Sequence, residues 1–149
     1  GRGPEWAVPA APARFVIGQA NRPRDGDDLT IVANGAMVVE AVLAADALRD
    51  RGIAARVLNM HTVKPLDTRA LIAAARDTPA MIVVEEHSVI GGLGSAVLEA
   101  LSELPHGPIR RIGIADIMPP IGPTRELRAH LGLSADNIVV QALALSGRA

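Results

Sequence analysis

Glu85, Glu86 and His87 stand together where an apolar run ends, in "VVEEHSVIGGLGSAVLEAL", residues 83–101. Gly91, Gly92 and Gly94 follow, and then a helical pattern begins. Residues of these types serve three kinds of chemistry. Glycines before a helix can cradle a dinucleotide, paired carboxylates can do acid–base work, and histidines can hold a metal.

The dinucleotide reading fails on spacing. "GLGSAV" (Gly92–Val97) supplies only G-x-G, with Val97 where the third glycine belongs. Asp116, after the next strand, stands at about the right distance for a ribose contact. The dinucleotide turn, however, needs its first glycine directly after the strand. Here "HSVI" intervenes, so a sharp turn with close helix packing is the better reading. The helix N-terminus would still offer free N–H groups to an anion.

Glu85 and Glu86 are neighbours in a strand, so their side chains point to opposite faces and form no catalytic dyad. At most one faces a crevice. The other pairs with an arginine or ends in solvent. A role in function or at an interface and a plain hydrogen-bond acceptor both fit a carboxylate at the end of a buried strand. His61 and His87 both follow strands at one edge, but no carboxylate completes a helical pair with them, so no metal site is expected. His87 is a candidate for touching a ligand or partner domain, and His61 a weaker one. Ser95 lacks the G-x-S-x-G context of a nucleophile. "RDGDD" (Arg24–Asp28) lacks the ligand spacing of a calcium loop. In "KPLD" (Lys64–Asp67) Pro65 restricts the backbone and Asp67 caps a helix, while Lys64 reaches either solvent or a partner.

These groups hang on an alternating scaffold. Residues 1–13, "GRGPEWAVPAAPA", read as a Pro/Ala-rich linker arm with no signal-peptide core, and residues 14–149 as one domain. "RFVIGQA" (Arg14–Ala20) reads as a short strand and "NRPRDGDD" (Asn21–Asp28) as a turn. "LTIVA" (Leu29–Ala33) is a buried strand. A helix from about Met37 to Arg51 carries the stripe Val38, Ala41, Val42, Ala45 and Leu48, with Gly52 closing it. "IAARVLNM" (Ile53–Met60), a helix over 68–76, "AMIVVEE" (Ala80–Glu86), a helix burying Val97, Leu101 and Leu104, and "PIRRIGIA" (Pro108–Ala115) continue the alternation. Two helices close the chain, one capped by Thr124 and ended by Gly132, the other capped by Ser134. This order predicts an α/β protein with a largely parallel sheet and helices on both faces. Ligands on such folds gather beyond the carboxyl ends of the strands.

Composition narrows the classes further. Of 149 residues, 49% are hydrophobic, which suffices for a full core at this length. Aromatic residues make up 1%, and 15 basic against 16 acidic residues leave a net charge of −1. That is no footprint for nucleic acid or an anionic membrane. No apolar run reaches transmembrane length. With no cysteine, thiolate chemistry and disulfides are excluded, and a cytoplasmic location fits.

The order of segments, with "GIAARVLNMHTVKPLD", "EEHSVIGGLGSA" and "IRRIGIAD", resembles the C-terminal domain of transketolase-type, thiamine-diphosphate-dependent enzymes over about Phe15–Ile138. The similarity is strongest to the C-terminal subunits of split transketolases. Deoxyxylulose-phosphate synthases and 2-oxoacid dehydrogenase β subunits carry a similar domain. The resemblance implies a three-layer α/β/α fold with a five-stranded mixed, mostly parallel sheet, in which "FVIGQA" runs antiparallel. It implies a crevice between "LTIVA" and "MIVVEE" that brings Asn34 and Gly35 near Glu86 and His87. The candidate interface or crevice residues are therefore Asn34, Gly35, His61, Lys64, Glu86, His87, Gly91, Gly92 and Gly94.

In that family thiamine diphosphate and Mg2+ lie between a diphosphate-binding and a pyrimidine-binding domain. The G-D-G and N-N signature of the former is missing here. No catalytic, cofactor-binding or metal-binding residue is therefore expected in this chain. The resemblance implies instead a domain that packs on those two, in a homodimer or heterotetramer that transfers a two-carbon ketol unit between sugar phosphates. The C-terminal domain of a deoxyxylulose-phosphate synthase, an interaction domain of a 2-oxoacid dehydrogenase β subunit, and a stand-alone anion- or nucleotide-binding module are the alternatives.

Overall fold

A computed structural model describes residues 14–147. The expected linker arm, residues 1–13, lies outside them. The sheet has five strands: β1 (Asn21–Arg24), β2 (Leu29–Ala33), β3 (Ala55–Asn59), β4 (Met81–Ser88) and β5 (Ile109–Ile114). Their order across the sheet is β1-β3-β2-β4-β5. β1 is antiparallel to β3, and the other neighbours are parallel. The mixed, mostly parallel sheet implied by the resemblance is thus the fold observed.

Helices α1 (Met37–Arg49) and α5 (Ala135–Leu145) cover one face. Helices α2 (Thr68–Asp77) and α3 (Leu93–Leu101) cover the other. Successive strand residues feed the two cores in turn. Ile31, Val57 and Ile82 join the α1/α5 core, and Val32, Leu58 and Val83 join the α2/α3 core. All five residues of β2 are buried, which explains its unbroken apolar run. The stripe Val38, Ala41, Val42, Ala45 and Leu48 is buried as its period requires. The helix ends two residues earlier than expected, at Arg49, and Gly52 follows at φ +73°. Asp67 caps α2 by accepting from Ala70 N at 3.0 Å, and Ser134 caps α5 by accepting from Asn137 N at 3.3 Å.

The first strand differs from expectation. "FVIGQA" is no strand. Gln19 N donates to Val16 O at 3.0 Å across a tight turn, with Gly18 at φ +78°. The segment read as a turn, Asn21–Arg24, forms the antiparallel edge strand instead. An edge strand needs only one partner, so Pro23 costs it no ladder bond on the open side. Two smaller expectations also fail. Leu104 is 39% exposed, because the chain has already left α3. Thr124 is the first residue of α4 (Thr124–His130) rather than its cap, and Pro123 holds the cap position. At the opposite edge of the sheet, β5 carries the exposed Arg110 and Arg111 on its two faces.

The amino ends of the parallel strands are tied by polar groups. Arg56 reaches Gly26 O, Asp27 and Asp77 at 3.2–3.3 Å. Thr30 and Thr78 share a buried hydroxyl bond of 2.9 Å. Arg24 grips Asp46 with two bonds of 2.7 and 2.8 Å, which holds the Asp46 carboxyl below its usual range.

Candidate functional site

The chain leaves β2 for one side and reaches β4 on the other, so the carboxyl ends of these two adjacent strands part. A crevice of about 470 Å3 opens there. Asn34, Gly35 and Ala36 form one wall, and Glu85, Glu86, His87, Gly91, Gly92 and Leu93 the other, with Val63 at the rim. Of the residues singled out in the sequence, six meet in this cavity: Asn34, Gly35, Glu86, His87, Gly91 and Gly92. His61, Lys64 and Gly94 do not line it. His61 lies under Phe15, ring edge to face, with centroids 5.0 Å apart. Lys64 is exposed in the loop after β3. Gly94 packs beneath the Glu85 carboxylate.

The two glutamates behave differently. Glu86 takes a bidentate pair from Arg128 of α4, at 2.8 and 2.7 Å. At this exposure such a pair contributes about 1 kcal/mol or less. Its role is to tie α4, which buries no residue of its own, to the end of β4. Glu85 is 2% exposed. Its carboxylate accepts from Leu93 N at 2.6 Å and from Gly94 N at 2.8 Å, the first N–H groups of α3. Charge-assisted bonds of this kind are worth about 1.5–3 kcal/mol each, which offsets the cost of burying the charge. A Cβ on Gly92 would overlap that carboxylate, and one on Gly94 would meet Arg111 Cδ at 2.7 Å. The glycines are therefore required by space at the helix start. His87, one residue before the end of β4, has Nδ1 2.9 Å from Ser88 O and 4.0 Å from Glu85 Oε2.

Two expectations change here. Both glutamates line the crevice, not one alone, because the strand end twists as Glu85 turns under α3. The α3 N-terminus is not open to an external anion, because Glu85 already holds Leu93 N and Gly94 N. Sequence reasoning misses Glu85 and Arg128 as site residues. A signal for Glu85 exists in its parity. It shares a face with Val83, the face that the following helix must cover.

The lining does not fit thiamine diphosphate. Two glutamates line the cavity, no lysine or arginine does, and the helix N-terminus is taken. Among the described residues no group of three or more His, Asp or Glu side chains is arranged to hold a metal ion. No helix of the described residues is long and apolar enough to cross a membrane.

Seven large apolar side chains are exposed in the segments that follow β3, β4 and β5 or that pack on the loop after β3: Phe15, Ile17, Val63, Ile90, Ile117, Met118 and Ile121. Comparison with known proteins agrees with the fold. The profile of the family described as "Transketolase, C-terminal domain" matches residues 18–138. A 6-deoxy-6-sulfo-D-fructose transketolase subunit from Clostridium sp. (strain MSTE9) is 45% identical over 138 residues, 93% of this chain and 43% of that protein. An apulose-4-phosphate transketolase subunit from Phocaeicola vulgatus is 49% identical over 129 residues, 87% of this chain and 41% of that protein. A split-gene transketolase solved as an inactive beta4 tetramer superposes with a TM-score of 0.85 at 41% identity, covering 91% of this chain and 44% of that one. The chain thus spans less than half the length of the relatives it matches. Strand order, crevice and sequence agree, and the chain belongs to the transketolase C-terminal domain family.

Proposed function

We propose that this chain serves as the C-terminal domain of a transketolase-type enzyme, one that transfers a two-carbon ketol unit between sugar phosphates. Thiamine diphosphate and Mg2+ are bound in this reading by diphosphate-binding and pyrimidine-binding domains outside this sequence. When bound there, the cofactor supplies the carbanion chemistry of the ketol transfer. This chain supplies a docking edge and support for a homodimeric or heterotetrameric assembly. One observation carries the reading. Seven large apolar side chains stand exposed in or beside the segments that follow the strands at their carboxyl ends, and the crevice at that end has a lining that does not fit a diphosphate. Exposed apolar groups gathered at one end of a sheet mark a surface made for protein contact. The loops "HTVKPLD" and "EEHSVIGGLG" are the expected contacts.

The test is assembly and turnover together. The chain alone, with thiamine diphosphate and Mg2+, is expected to give no ketol transfer. Combined with the two cofactor-binding domains, it is expected to give transfer between sugar phosphates. Turnover by the chain alone overturns the reading. So does an active assembly in which the carboxyl edge stays in solvent. Deoxyxylulose-phosphate synthesis by the assembly would replace ketol transfer as its reaction.

A further inference from the structure

A glycine-rich turn entering a helix commonly holds an oxyanion on the first N–H groups of that helix. In this chain the seat is filled from within. Glu85 Oε2 accepts from Leu93 N and Oε1 from Gly94 N, so both oxygens are engaged. The side chain is 3% exposed. Three glycines, two at the start of α3 and one on β5, leave room for it. A Cβ would overlap the carboxylate at Gly92, lie 3.3 Å from Oε1 at Gly94, and lie 3.4 Å from Glu85 Cγ at Gly113.

Ordinary capping differs in its source. A cap residue sits next to its helix in sequence, whereas this carboxylate comes from a strand, eight and nine residues upstream. The cap position itself, Gly92, has no side chain. Glu85 is also among the residues that line the crevice, with Glu86 and His87. The cavity of about 470 Å3 has ample room for a small phosphorylated molecule.

We propose that Glu85 determines what this crevice accepts: it is a built-in carboxylate in the seat an external oxyanion would take, and it keeps phosphates out. An entering phosphate finds these two N–H donors already bonded, and the lining offers it no lysine or arginine, only His87 beside the two glutamates, Glu86 already holding Arg128. The crevice is left for neutral or cationic groups. If the proposed function holds, the same device keeps sugar-phosphate substrates from lodging at the domain edge. That consequence rests on the functional reading, whereas the exclusion of anions does not.

The experiment uses the full 149-residue chain and its Glu85→Ala variant. Inorganic phosphate is titrated against each at constant ionic strength. The amide resonances of Leu93 and Gly94 and the thermal midpoint are followed. The variant is expected to bind phosphate at least about tenfold more tightly than the parent chain, a gain of about 1.4 kcal/mol. The shifts should centre on those two amides. Formate, a small carboxylate, should restore part of any lost thermal midpoint. Phosphate moving the parent's Leu93 and Gly94 amides overturns the proposal. So does a folded variant whose amides stay still, including the case where phosphate raises both midpoints equally as a solvent effect. Should Glu85→Ala not fold in chloride, Glu85→Ser also empties the seat, its short hydroxyl standing in for neither carboxylate oxygen. It is taken through the same titration and decides the matter. Failure of both variants to fold even in phosphate or formate also counts against the proposal. None of these readouts depends on ketol transfer.

Discussion

The two ends of the sheet are built on opposite plans. At the amino ends of the parallel strands, polar groups close on one another: Arg56 with Asp27 and Asp77, Arg24 with Asp46, and Asp28 with Ala54 N at 2.8 Å. At the carboxyl ends one polar group is shut in, Glu85, and apolar groups are left out. Met118 is 94% exposed and Ile117 56%. An end that satisfies itself needs no neighbour. An end that buries its charge and exposes its hydrocarbon gains from one. Stability and association should therefore be separable, each belonging to one end.

The sharpest challenge to this contrast is Gly92→Ala. The new methyl displaces a buried carboxylate and frees two N–H groups, so a loss of about 3 kcal/mol is expected in urea unfolding. An unchanged unfolding midpoint would show that the carboxyl end is not braced by Glu85. Next comes Arg56→Ala, expected to cost about 2 kcal/mol through lost bonds and stem packing. The loss stays moderate because Asp27 is left in water, at 90% side-chain exposure. Association with partner domains should not change. If it does, the amino end is not self-contained.

Acid should weaken the amino end. The bonds from Arg24 lower the Asp46 pKa, and a bond from Arg76 lowers that of Asp77. A depressed carboxyl pKa adds stability that is present above the unfolded value of about 3.9 and lost as pH falls through the folded value. Both carboxylates are partly solvated, so the effect is a fraction of a kcal/mol for Asp46. Hydrogen exchange between pH 5 and pH 2 should show loosening near Asp46 and Asp77 that sets in as pH falls below about 3.9, and Asp46→Asn should flatten that dependence. The smallest effect on stability is expected for the double change Ile117→Asp and Met118→Asp, within about 0.5 kcal/mol. Its effect on association should nonetheless be large. A stable double variant that still assembles fully would break the contrast between the ends.

What the sequence discloses follows from which interactions are local. The α1 stripe, the Asp67 and Ser134 caps and the glycine after α1 depend on neighbours within a turn or two, and all are legible in the chain. β1 is not, because its strand character comes from β3, a partner more than 30 residues away. Its own residues, Asn-Arg-Pro-Arg, favour a turn. The crevice is reached only through family resemblance, since only the strand order brings Asn34 to Glu86. Glu85 hides beside Glu86 because two adjacent acids look alike until the covering helix assigns their faces. Arg128 lies 42 residues beyond its partner, and nothing in the spacing joins them.

The strands at the two sides of the sheet bear on how the molecule is able to aggregate. β1 carries Pro23, which has no N–H to donate, and β5 carries exposed arginines on both faces. Another strand that tried to extend the sheet sideways would meet a missing donor on one flank and like charge on the other. Ribbon-like growth into fibres is thus disfavoured from both directions. Contact through the carboxyl ends of the strands meets no such obstacle, so crowded copies of this chain are steered away from edge-to-edge pairing.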